Sequence, residues 1–308
     1  MTGRRPEAPA VDGVLVVAKA PGPTSHDMVG LVRRLTGVRR VGHGGTLDPF
    51  AAGVLPVFIG HATRLAEYHL ADDKEYAAEV CFGARSTTDD IDGQLTPTGA
   101  AAPTRDQAEA ALDSFRGEIE QVPPDYSAVH VGGRRAYELA RHGKKPELRP
   151  RRVTIKRLEL VEWNDVDPAR PIARLEVACS AGTYIRALCR DLGELLGCGA
   201  YLGALTRTVS GPFSLAEAHS IDDVRAAHAN GELGALMLPP DAGLDGFPRL
   251  TLGEGELMIL ARGQPVSLPA GAGEGLHRIV DENGRLAAMG RAAGGRLRPE
   301  KVFISPTG

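Results

Sequence analysis

The sequence predicts a mixed α/β protein with a small β-barrel appended at its C-terminal end. Three observations carry that expectation. Strand-like apolar runs and helix-like segments alternate from residue 11 to residue 245. After Leu238-Pro239-Pro240 the texture changes to short apolar pieces separated by glycines, as in a small all-β unit. The chain has 308 residues, 43% apolar and 24% charged, enough to bury a sizeable core without covalent staples.

Taken in order, residues 1–10 read as a disordered leader. Gly13 to Lys19, small and branched apolar residues, reads as a strand. Pro21-Gly22-Pro23-Thr24-Ser25 is a rigid turn ending in cap residues, and it predicts a helix with Met28, Val29, Val32 and Leu35 on one face. Ala51 to Ile59 is an apolar run that fits a buried helix or a buried strand, and residues 62–70 read as a short helix. Lys74 to Phe82 alternates, with Tyr76, Ala78, Val80 and Phe82 on one face of a strand. Ser86 to Gly93 is an acidic turn, and Thr104 caps an amphipathic helix to Phe115. Pro123-Pro124 opens a basic excursion over about residues 124–153. Val153 to Glu162 and Ile172 to Cys179 read as strands, and Thr183 to Leu196 as a helix stopped by Gly197. From residue 246 to 308 the short strands are Gln264 to Leu268, His277 to Asp281, Leu286 to Met289 and Lys301 to Ile304. No internal repeat is present.

Several classes of function are excluded at this stage. The longest nearly apolar run, Ala51 to Gly60, falls far short of the ~20 residues a spanning helix needs. Val14 to Ala18 is too short for the core of a signal peptide. Cys81, Cys179, Cys189 and Cys198 are scattered with no CxxC pair, as buried reduced thiols would be, and the chain reads as cytoplasmic. The formal net charge is −3, so global charge announces no nucleic-acid partner. The distribution is more informative, because Arg134 to Arg157 holds ten Lys or Arg against two acids, Glu138 and Glu147. That local excess is either a phosphate-contacting surface or a solvated face.

The most unusual stretch is Val41 to Pro49. Three glycines in four residues let the backbone approach something closely, and Pro49 restricts Asp48 to extended conformations. An aspartate so placed is a nucleophile, a general base, or the start of an Asx-turn. No Gly-Lys-Ser/Thr triplet follows, so this is not a P-loop, and GxGxxG is unmatched. Thr88, Asp90, Asp92 and Gly93 echo a calcium loop, but its closing position is Gly99, not glutamate. The nine histidines show no zinc spacing, and no GxSxG elbow occurs. A second candidate is Cys179 to Arg186, a strand running through Ser-Ala-Gly into a helix. Arg186 falls in its first turn, where a cation opposes the helix dipole and calls for a partner such as Asp48. Tyr76 taken alone is a core residue.

Together these residues resemble one family. Gly42-His43-Gly44-Gly45-Thr46-Leu47-Asp48-Pro49-Phe50-Ala51-Ala52-Gly53-Val54-Leu55-Pro56 looks like the signature of the TruB-type tRNA pseudouridine-55 synthases. Lys19 to Ser25 is similar to the family's first motif, with Ala20-Pro21 in place of its Pro-x. Tyr76 stands in its Lys-x-Tyr strand, and Gln121 to Arg141 in its Q-x-P-P-x-[YF]-S-A region. Cys179 to Leu196 and Leu205-Thr206-Arg207-Thr208 match two further motifs in order. Leu260 to Val266 and Leu297-Arg298-Pro299 look like a PUA-type RNA-binding barrel.

The resemblance implies a pseudouridine-synthase fold: a mixed, largely antiparallel central sheet with flanking helices over 11–245, and a PUA-like RNA-binding domain over 246–308. It implies isomerisation of uridine 55 in the T loop of tRNA, with no cofactor and no metal. Asp48 is then the catalytic aspartate, attacking C1′ of the ribose or C6 of the base. Arg186 pairs with it, Asp90 holds the arginine, and Tyr76 stacks on the target base and takes part in proton transfer from C5. His43, Tyr184, Leu205 and Lys19 fall at substrate-binding positions. The basic excursion would grip the T-arm of tRNA. The implied enzyme is a monomer with no obligate protein partner and no membrane association. The competing expectation is an RNA-binding or RNA-folding module whose synthase activity is lost or secondary. A pure binder has no need of Asp48, Tyr76 and Arg186 together.

Overall fold

A computed structural model describes residues 11–304, and the expected leader lies outside the described residues. The chain forms two separate main sheets. The main strands of the large one are β1 (Gly13–Lys19), β2 (Ala52–Ile59), β3 (Lys74–Phe82), β4 (Gly117–Gln121), β5 (Arg151–Asn164), β6 (Ile172–Cys179) and β7 (Ala200–Ser210), with the short strands Val41–His43, Phe213–Ser214 and Met237–Leu238 paired beside them. The short strand His219–Ser220 adds to one edge, and the spatial order from there is β1, β2, β7, β3, β6, β5, β4. Only the join of β1 to His219–Ser220 and the join of β2 to β7 are parallel; the other neighbours in that order are antiparallel. The sheet is therefore mixed and largely antiparallel, as expected.

Burial explains why Gly13–Lys19 and Ala52–Ile59 read as continuous apolar runs. Leu15 and Val17 pack with Met28, Val29 and Val32 of α1 (Ser25–Thr36) on one face. Val14, Val16, Val54 and Phe58 pack with Phe213 on the other. A strand covered on both faces loses the alternation that would have identified it, which is why the ambiguous run 51–59 is a strand. Thr24 caps α1 reciprocally with Asp27: the Asp27 N–H donates to Thr24 Oγ1 at 3.0 Å, and the Thr24 N–H donates to the Asp27 carboxylate at 2.8 Å. The helix ends at Gly37, whose φ of 70° lets its N–H turn back to the Arg33 carbonyl.

The expected helix over 62–70 is two short 3-10 turns, Gly60–Arg64 and Ala66–His69. The helix capped by Thr104, α2 (Arg105–Ala111), passes into a 3-10 turn over Leu112–Phe115. The basic excursion leaves the sheet at Gln121 and rejoins it at Arg151, which are paired across β4 and β5. It contains a two-residue hairpin pair, His130–Val131 with Arg134–Arg135, and α3 (Ala136–Arg141). Then α4 (Ile185–Leu195) packs on β7 so closely that a Cβ on Gly193 would lie 2.0 Å from the Ala200 nitrogen. Two helices had no sequence-level expectation, α5 (Ile221–Ala229) and α6 (Glu254–Ala261). Among the described residues no helix is long and apolar enough to cross a membrane.

The C-terminal sheet has β8 (Arg249–Thr251), β9 (Val266–Ser267), β10 (Gly275–Val280), β11 (Leu286–Ala293) and β12 (Arg296–Val302), in the order β8, β10, β11, β12, β9. It curls around its own core of Leu252, Leu257, Leu260, Val266, Ile279 and Leu297, a half-barrel of PUA-like character. It docks on the segment 60–69 of the larger unit. Lys301 pairs with Glu67 at 2.8 Å, the Tyr68 and Phe247 rings meet edge to face, and Leu65, Leu244 and Met289 form a small shared core.

Candidate active site

The glycine-rich loop and Asp48 sit at the N-terminal approach to β2, where β2 runs parallel to β7. The loop is tied down on both sides of the carboxylate. Ser25 Oγ accepts from the Leu47 N–H at 2.8 Å and donates to the Leu47 carbonyl at 3.0 Å. The Gly44 N–H donates to the Pro56 carbonyl at 2.9 Å, and the Gly22 N–H to the Pro49 carbonyl at 2.8 Å. Lys19, 2% exposed, donates to the carbonyls of Ala20, Pro49 and Ala51 at 3.0, 3.1 and 2.6 Å. All three ammonium protons are spent on backbone, so Lys19 stands as a support for the Asp48 loop. Burial lowers its pKa, and the nearby Asp48 charge opposes that shift.

Arg186 completes the pair. Its Nε lies 3.0 Å from one Asp48 carboxylate oxygen, and its Nη2 donates to the other at 3.3 Å. Nη1 lies 3.5 Å from the Asp90 carboxylate and donates to the Thr88 carbonyl at 3.1 Å, while Nη2 also donates to the Tyr126 carbonyl at 3.0 Å. The arginine is 5% exposed and Asp90 likewise 5%, whereas a third of the Asp48 side chain remains open to the cleft. Two carboxylates and two carbonyls therefore offset the helix-dipole cost of a cation in the first turn of α4. Burial raises the Asp90 pKa, and its hydrogen bond from Thr88 and the Arg186 charge oppose the rise. Tyr184, just before α4, is held at both ends of its backbone by the Gln121 amide, at 2.8 and 3.1 Å.

Beside the pair is a cleft of about 290 Å3 whose walls include Asp48, Tyr76, Tyr184, Arg186, Leu205 and Arg207. Tyr76 comes from β3, and its cross-strand neighbour on β7 is Arg207. Burial pushes the Tyr76 hydroxyl up to about 12, with the Arg207 charge opposing. The excursion supplies Tyr126, Ser127 and Ala128 to the same cleft and to an adjoining groove that shares Asp48 and Arg186. His43 is half-buried beside the glycine loop, where its Nδ1 accepts from the Gly45 N–H at 3.3 Å and burial lowers its pKa. Of the sequence candidates, the fold thus brings Asp48, Tyr76, Arg186, Tyr184 and Leu205 to one cleft, puts Asp90 directly behind Arg186, and leaves Lys19 and His43 beside the Asp48 loop. Sequence reasoning missed Ser25 as a loop tether and Arg207 as a cleft residue. An arginine inside an otherwise small and apolar stretch was the available signal for the second.

Three family models match the chain in succession. They are described as TruB family pseudouridylate synthase (N terminal domain), over residues 33–185; tRNA pseudouridylate synthase B C-terminal domain, over 186–245; and Pseudouridine synthase II TruB, C-terminal, over 248–303. A tRNA pseudouridine synthase B of Symbiobacterium thermophilum is 50% identical over 246 residues, 80% of each chain. One from Pseudomonas fluorescens is 41% identical over 299 residues, 96% of each. Among solved structures, an H/ACA RNP bound to a substrate RNA containing 2′-deoxyuridine superposes with a TM-score of 0.73 at 26% identity, covering 96% of this chain and 86% of that one. The chain of an archaeal box H/ACA sRNP Nop10-Cbf5 complex gives 0.72 at 26%, covering 98% and 90%.

Proposed function

The chain belongs to the TruB family of pseudouridine synthases and isomerises uridine in tRNA to pseudouridine; we propose that the target is uridine 55 of the T loop and that Asp48 is the group that attacks it. The observation that carries the residue assignment is the Asp48–Arg186 pair, bidentate and closed off by Asp90 from behind, opening on a cleft walled by Tyr76 and Leu205.

A base inside a folded loop must leave its stack to be reached, and flipped bases are held by stacking on aromatic side chains in a closed pocket. Tyr76 offers the ring and Leu205, 8% exposed, the apolar wall. Asp48 attacks C1′ of the ribose or C6 of the base. The N1–C1′ bond breaks, the detached uracil turns, C5 bonds to C1′, and the Asp48 carboxylate is expelled from the atom it attacked. The proton on C5 then leaves and N1 gains one, so substrate and product are isomers and the reaction needs no oxidant, reductant or co-substrate. A pocket that excludes water keeps the free base from escape and the sugar from hydrolysis. We assign Tyr76, which lines the cleft, to the proton transfer from C5.

On this reading the enzyme acts as a monomer on the T-arm of tRNA, with no obligate protein partner, in the cytoplasm. Residues 11–245 act as the catalytic domain. Residues 246–308 act as the RNA-binding appendage, and the excursion 124–153 is the element that grips the T-arm.

The decisive experiment is tritium release from a T-arm stem-loop carrying 5-³H-uridine, with wild type and Asp48→Asn side by side. Wild type is expected to release tritium and Asp48→Asn to release none while keeping RNA affinity within about threefold, because removing a nucleophile acts on the transition state and not on binding. Full activity in Asp48→Asn would overturn the assignment. Tight binding with no release by either protein would point to an RNA-binding module or to another uridine.

A further inference from the structure

Arg207 is 1% exposed and, among the described residues, has no carboxylate within ion-pair distance. That is an expensive arrangement. Arginine does not shed its proton in proteins, and a buried charge is normally matched by an opposite one. Here the guanidinium is matched by dipoles instead. Nε donates to the Val54 carbonyl at 2.9 Å, Nη1 to the Thr46 carbonyl at 3.3 Å and Nη2 to the Gly45 carbonyl at 3.2 Å. Tyr76 is its cross-strand neighbour, and both side chains line the same cleft. The backbone is built to bring it there. Gly53, at φ 120°, lies so close to Arg207 that a Cβ would stand 2.2 Å from the Arg207 carbonyl oxygen.

We propose that Arg207 is the positioning residue that joins Asp48 and Tyr76 into one working unit. This rests on the catalytic reading of those two residues given above. Gly45 and Thr46 are the third and second residues before Asp48, so holding their carbonyls fixes the approach of the carboxylate. The link to Tyr76 has only one possible direction, because a guanidinium has five N–H donors and no acceptor. Arg207 must donate and the phenol oxygen must accept. In that arrangement the Tyr76 proton is free for another acceptor. The same cation stands ready to stabilise negative charge on the phenol oxygen whenever that proton is shared with the base. A lysine has the charge but not the planar fork that spans three carbonyls.

The test uses the full chain with Arg207→Ala and Arg207→Lys, each checked for folding by circular dichroism and thermal melting, against the T-arm stem-loop. In Arg207→Ala we expect kcat to fall about 100-fold with KM within about threefold, the pattern of a misplaced catalytic group. Added guanidinium ion should restore part of kcat, and Arg207→Lys should fall in between. A folded Arg207→Ala with wild-type kcat, a loss confined to KM, or no response to guanidinium would each overturn the proposal. If Arg207→Ala does not fold, Arg207→Lys decides, since wild-type kcat in that variant would show that the fork is not needed. Wild type and Asp48→Asn run alongside. Silence of the wild type would mean that the assigned reaction is wrong, whereas an active wild type with an unaffected Arg207→Ala would mean that only the role of Arg207 is wrong.

Discussion

Tyr76 meets the cleft with a hydroxyl that burial has pushed from an ordinary value of 10.0 to about 12. The phenol is therefore neutral at any working pH. This has a consequence for stability. The fold favours the protonated form, so the contribution of the group is complete below pH 10 and is lost as pH rises toward about 12. Urea denaturation of wild type and Tyr76→Phe should give a constant stability difference up to pH 9. Wild type should then lose stability relative to the variant between pH 10 and 12. A difference that stays flat through that window would show that the hydroxyl is in contact with water. At the same scale, residue type and order made Asp48 and Arg186 legible, because a carboxylate before proline and a cation in a first helical turn are locally unusual, whereas Tyr76 stood out only through the family resemblance. Lys19 was legible as special, but its backbone partners were not. Three backbone carbonyls converge on its ammonium only after β1 and the start of β2 come together.

At the level of elements, the most informative omission is β7. Its buried residues are Ala200, Leu202, Leu205, Arg207 and Ser210, a sequence with no constant period. Register shifts against β3 at Leu202/Ala204 and Arg207/Val209 each insert a residue and reset the alternation. A period-two search fails there although the strand is central. Helix α5 was missed for another reason: only Val224 is buried on it, so its apolar face is one residue wide. The parallel join of β2 to β7 depends on Gly53, where any side chain meets the Arg207 backbone in a conformation that only glycine adopts freely. Gly53→Ala should destabilise the chain by about 3 kcal/mol or more, the range for strain at a special backbone position combined with overpacking, and a urea titration measures it. A loss below about 0.5 kcal/mol would mean that the strands separate at no cost.

On the scale of the whole molecule, the basic run of 134–157 is divided by the fold. Its last part lies in β5 and is already paired: Arg152 with Glu118 at 3.4 Å, Lys156 with Asp73, and Arg157 with Glu75 at 2.9 Å and Glu176 at 3.2 Å. Lys144, Lys145 and Arg149 stand in the exposed return of the excursion and, among the described residues, have no carboxylate within ion-pair distance. Neutralising these three should lower the slope of log affinity against log salt for the T-arm by about 2, given 0.7–0.9 per phosphate contact. Neutralising Arg152 and Lys156 should change it less, since each already has an acidic partner. Equal slopes for both variants would show that the excursion is a solvated face. The C-terminal sheet docks on residues 60–69, and that segment leads directly into β3 with Tyr76, so the appendage and the cleft share one structural support.

By itself the sequence determined the order of the motifs, most strand and helix cores, the change of texture near residue 246 and the residues proposed for the site. These are local properties, written in residue type, capping and short-range period. Tertiary structure alone decided that Ser25 and Lys19 hold the Asp48 loop, that Thr88 and Tyr126 carbonyls share Arg186 with the two carboxylates, and that Arg207 lies beside Tyr76. Those partners are separated by between 20 and 140 positions along the chain, and only strand order, register and two bulges bring them within hydrogen-bond distance.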